Sequence, residues 1–131
     1  LPDIYINEFI EPYEKEPIDE FTEYVPCFRL PQTKEYVGVV FWRAKLLDYH
    51  YMLHTYDKKG TFIQAIHIAG TRTDGKKMAK LFCTIKDLNT IHLVAGSAPL
   101  DDPHYVASES KAFNIDLDDQ GRADIEMDET L

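Results

Sequence analysis

Two turns of one composition, each set between strand-like runs, constrain this chain more than any other feature. Tyr56-Asp57-Lys58-Lys59-Gly60-Thr61 is the first, and Leu117-Asp118-Asp119-Gln120-Gly121-Arg122 is the second. In each, the Asp side chain caps the turn, two polar residues form the apex and Gly supplies positive φ. That chemistry closes a β-hairpin through a type I turn with a glycine bulge. The flanking sequences do not align, so the pair is convergent turn chemistry and not an internal repeat.

The rest of the chain follows the same punctuation. Tyr36–Trp42, Tyr49–Tyr56, Thr61–Ala69, Met78–Ile85, Thr90–Ala95, a run from Lys111 and Arg122–Met127 are rich in β-branched and aromatic residues. Asp74-Gly75 and Lys86–Asn89 supply further turns, and Pro99 and Pro103 mark Gly96–Pro103 as a loop. Short connections force antiparallel neighbours. The expected fold is mainly β: an antiparallel sandwich, barrel or curled sheet of about seven strands, with a short N-terminal helix. That helix is placed at about 17–24, with Pro17 at its start and Pro26 as its stop. Residues 1–16 read as an acidic, loosely ordered leader, from which Ile4, Ile6 and Phe9 could dock an extended piece, and 17–131 as one β domain.

Charge limits the partners. The 131-residue chain carries a net charge of −9, concentrated at its ends. Eight acidic residues oppose Lys15 within 1–23, and seven oppose Arg122 within 116–131, whereas the middle is mildly basic. Nucleic acid binding needs a strong basic face, so it is not expected. No apolar run reaches the ~20 residues of a membrane helix. A start at Leu1-Pro2 instead of Met raises the expectation of an exported or envelope-anchored protein, periplasmic or extracellular. Cys27 and Cys83 lack metal-site spacing and read as small hydrophobes, with a disulfide open to an exported chain.

The first turn also allows a register to be written. With a bulge at Gly60, Tyr56 faces Phe62, His54 faces Gln64, Met52 faces Ile66 and His50 faces Ile68, all on one side. His67 then points to the other side. His50 and His54 stand ~13 Å apart along one strand, too far to share one metal ion. No metal site or cofactor is expected. At the second turn, Asp116, Asp118 and Gly121 imitate a calcium loop, but Met127 stands where the bidentate Glu belongs, so a hairpin is expected.

The candidate ligand-binding residues are Trp42, Tyr49, His50, Tyr51 and His54. Tyr and Trp offer flat faces with a polar handle, which suits a carbohydrate, peptide or protein partner. A second candidate is the Gly96–Tyr105 loop, where Asp101, Asp102 and His104 could serve acid–base chemistry. No nucleophile elbow or phosphate loop is present. The function expected is a non-catalytic binding or interaction module of an exported or envelope-anchored bacterial protein. The alternatives are a small enzyme using the Gly96–Tyr105 loop and a structural accessory domain.

Overall fold

The computed structural model describes residues 3–14, 20–30, 35–73, 77–86, 90–99 and 111–128. Eight strands form one antiparallel sheet in chain order: β1 (Glu23–Arg29), β2 (Tyr36–Lys45), β3 (Asp48–Asp57), β4 (Phe62–Thr73), β5 (Lys77–Ile85), β6 (Thr90–Pro99), β7 (Lys111–Leu117) and β8 (Ala123–Asp128). β1 and β8 are the edges, and the sheet does not close. The mainly β, antiparallel expectation holds, in its curled-sheet form. Among the described residues no helix is long and apolar enough to cross a membrane.

Both Asp-x-x-Gly turns have the same anatomy. Asp57 Oδ1 accepts the N–H groups of Lys59 and Thr61 at 2.9 and 2.8 Å, and Asp118 Oδ1 accepts those of Gln120 and Arg122 at 2.8 and 2.9 Å. Gly60 and Gly121 take φ of +89° and +78°, which a side chain would resist. These bonds to a carboxylate also hold the exposed Asp57 carboxyl below its usual pKa, the Thr61 N–H contributing most.

Three elements depart from expectation. A strand, β1, begins at Glu23 where a helix over 17–24 is predicted; residues 17–19 lie outside the described residues. Pro26 sits inside β1 instead of stopping an element, because an edge strand tolerates a missing N–H, and the register shifts between Pro26 and Phe28. The helix lies earlier, as an α turn (Asp3–Tyr5), a π turn (Ile6–Ile10) and a 3₁₀ turn (Glu11–Tyr13). Ile6 and Ile10, one helical turn apart, pack on Tyr24, Phe41 and Met52, and this burial holds a segment whose prolines and acids predict an extended piece. Lastly, β6 continues through Pro99. Its pairing with β7 ends at Ala95, so the stretch up to Pro99 pairs with β5 alone among the described residues, where a missing donor is tolerated.

The sheet coils on itself. Val40 of β2, Leu53 of β3, Ile66 and Ile68 of β4, Ile91 and Leu93 of β6, and Ile115 and Leu117 of β7 share one core, although they are up to five strands apart. The second turn plugs this core. Thr55 Oγ1 donates to the Gly121 carbonyl at 2.8 Å, the Ala123 N–H donates to Gln64 Oε1 at 2.8 Å, and Gly121 lies against the Tyr36 ring. We call this side of β2–β4 the dry face. The opposite side, the polar face, is covered by the N-terminal helical segment.

Candidate ligand-binding site

Alternation along three strands builds the site. From β2 the polar face receives Phe41, Arg43 and Lys45; from β3 it receives Asp48, His50, Met52, His54 and Tyr56. β4 contributes Ala65 and His67, opposite His54 and Met52. The placing of His67 overturns the predicted register. Tyr56 does face Phe62, but Thr55 pairs with Gln64, so Ile63 is an extra residue, a β-bulge. The partners of Thr55 to Met52 move by one, so His67 turns to the polar face, and a second shift between Met52 and Tyr51 moves the remaining partners by two. The dry face supplies the reason. Ile63 packs on its core while the neighbouring Gln64 binds the Ala123 N–H there, a demand that strict alternation cannot meet. Phe62 stays on the polar face and stacks on Tyr13 at 3.9 Å.

Glu14, just past the helical segment, completes the cluster. Its carboxylate accepts from Arg43 Nη1 at 2.8 Å and from the Tyr24 hydroxyl at 3.1 Å, and Lys45 Nζ stands 3.7 Å away. Arg43 Nη2 donates to His67 Nε2 at 3.0 Å, which places the His67 proton on Nδ1. His50 Nδ1 bonds Asp48 Oδ1, and the His50 and His67 rings meet edge to face at 4.8 Å. Arg43 is only 4% exposed, and its Nε–H is buried without a partner among the described residues.

This cluster walls a cavity of about 260 Å³, which also reaches Tyr13, Met52, His54 and Arg72. Among the described lining residues three cations, Arg43, Lys45 and Arg72, outnumber two carboxylates, Glu14 and Asp48, an excess of positive charge within an acidic chain. Its histidines are neutral at pH 7. Burial lowers the His54 pKa to about 4, with smaller contributions from Arg43 and His67 working against Glu14. The Tyr56 hydroxyl donates to the Phe9 carbonyl at 2.8 Å, so its oxygen accepts from His54 Nδ1 at 3.0 Å. His67 is exposed to solvent at its edge of the pocket, yet partial desolvation, then the neighbouring His50 and Arg43, lowers its pKa to about 4. Burial, together with the Glu14 charge, pushes the Tyr24 phenol up, so it remains a donor.

The five predicted site residues divide between the faces. Trp42, Tyr49 and Tyr51 lie on the dry-face side, beyond the plugged core. Trp42 stacks on Tyr49 at 6.1 Å and leans on Tyr51 at 4.8 Å, with the tyrosines 43% and 39% exposed. His50 and His54 lie on the polar face, His54 inside the pocket wall. Asp101, Asp102 and His104 fall outside the described residues. Both cysteines are free, Cys27 exposed and Cys83 half-buried. No group of three metal-ligating side chains converges among the described residues.

Sequence reasoning missed Glu14, Arg43, Lys45, Asp48 and His67. A signal for three of them was present: Arg43-x-Lys45 and Asp48-x-His50 put ionisable side chains at alternate positions of strands, on one face. Glu14 had none, since nothing local ties it to Arg43. Comparison of the chain with family models, with curated proteins and with solved structures finds no match.

Proposed function

We propose that this protein is a non-catalytic binding module whose polar pocket takes a small organic anion bearing a carboxylate or phosphate. The observation that carries the reading is a 260 Å³ cavity lined by Arg43, whose Nε–H is buried with no partner among the described residues. A buried donor without a partner costs about 1–3 kcal/mol, and a bound anion would recover it. Lys45 and Arg72 add positive charge, and neutral His54 and His67 add no competing one. The described lining residues include no Ser, Thr or Cys, which favours binding over covalent catalysis.

Titration calorimetry at pH 7 with succinate and with inorganic phosphate tests this. Binding of one of them, weakened about 10- to 100-fold in Arg43→Met and in Lys45→Met, is expected. Because Arg43→Met strands the Glu14 carboxylate, the double variant Glu14→Gln/Arg43→Met controls for folding. Unchanged affinity in folded Arg43→Met, or no binding of either anion by the wild type, would overturn the reading.

A further inference from the structure

The N-terminal helical segment roofs a second cavity on the polar face, of about 340 Å³, which shares no lining residue with the first. Tyr5, Phe9 and Ile10 line it from the helical segment; Val39, Phe41 and Tyr56 line it from the sheet. Ile10 and Phe41 also form the buried cluster with Tyr24 and Met52, so the walls rest on fixed packing. Phe9 meets the Tyr56 ring edge to face at 5.9 Å, and the Tyr56 hydroxyl is already engaged by Phe9 and His54. The interior therefore offers carbon and ring faces and few polar atoms.

The first turn supplies the rim. Asp57 and Lys58 both line the mouth, one anionic and one cationic. The Asp57 carboxylate is held ionised by the N–H groups of its own turn. A rim with one charge of each sign repels any ionised head from one side and favours a neutral polar end. The volume takes roughly a dozen carbon atoms, if each fills about the ~30 Å³ of a water molecule in the liquid.

We infer that this cavity is a second binding site, for a neutral medium-chain aliphatic compound such as a fatty alcohol. The chain lies between Phe9 and Val39 and its hydroxyl meets the rim at Asp57 and Lys58. Apolar burial drives binding, so affinity rises about three- to fourfold per methylene from hexanol to decanol. The site shares no lining residue with the anion pocket, which separates the two.

Calorimetry and methyl NMR with hexanol, octanol, decanol and decanoate test the inference. Expected are a chain-length series for the alcohols, shifts confined to the methyls of Ile10, Val37 and Val39, and decanoate at least about tenfold weaker than decanol. Val39→Trp, which fills the cavity, abolishes decanol binding, whereas Lys45→Met, which leaves the Arg43–Glu14 pair in place, keeps it unchanged; Val39→Phe serves if the larger ring unfolds the protein. Decanoate binding as tightly as decanol overturns the neutral class. Absence of alcohol binding, or loss of it in Lys45→Met with retention in Val39→Trp, overturns the site.

Discussion

The three strands β2–β4 are covered on both sides, and the two covers are built from different chemistry. On the dry face the Asp118–Gly121 turn docks by a buried threonine, a glutamine and a tyrosine ring over an aliphatic core with no histidine among its buried members. On the polar face the helical segment docks by a carboxylate on a buried arginine, a tyrosine on a backbone carbonyl and stacked aromatic rings. The first cover excludes water and sets the coil of the sheet. The second leaves two cavities beneath it. A dry interface spends its surface on packing, whereas charged groups kept partly hydrated leave room that a ligand can use.

The largest effect should come from the dry face. Leu53 is fully buried there, and Leu53→Ala should cost about 3–4 kcal/mol in urea unfolding, by about the same amount at pH 7.5 and pH 5.5. A loss below about 1 kcal/mol, or one confined to acid, would erase the distinction between the faces.

Acid should loosen the polar face selectively. His54 is 2% exposed, with a pKa of about 4 in the fold against an ordinary 6.5, so the unfolded chain binds the extra proton first. Its contribution to stability is complete above pH 6.5, falls as pH drops from 6.5 towards 4, and totals on the order of 3 kcal/mol. Hydrogen exchange should show residues 3–13 opening before β6 and β7 over that window. His54→Gln should reduce the pH slope, leaving the part that His67 carries; a slope unchanged in this variant would show that His54 does not contribute.

The smallest expected effect compares the twin turns. Gly121→Ala adds a Cβ within 2.8–2.9 Å of the Tyr36 ring at positive φ, whereas Gly60→Ala meets only Phe9 at 3.7 Å. The first should cost about 2–3 kcal/mol and the second about 1 kcal/mol. Equal losses would mean that the second turn is no plug.

Seven strands were legible because period-two runs between turn residues are local signals, and both Asp-Gly turns form as written. β1 was hidden by Pro26, whose acceptability depends on its edge position. The helical segment was hidden by its prolines and acids, since only contact with Phe41 and Met52 justifies it. In the site, the residues on β2 and β3 follow from alternation, but His67 does not.

The sequence by itself determined the twin Asp-x-x-Gly turns, most of the strands and their antiparallel pairing, because each rests on residues a few positions apart. The tertiary structure alone decided where the twin turns differ, which face His67 joins, and that Glu14 meets Arg43. Those depend on groups far apart in the chain: Ala123 recruiting Gln64 forces the Ile63 bulge, and the bulge turns His67 into the pocket. Local patterning cannot encode a register that a distant strand imposes.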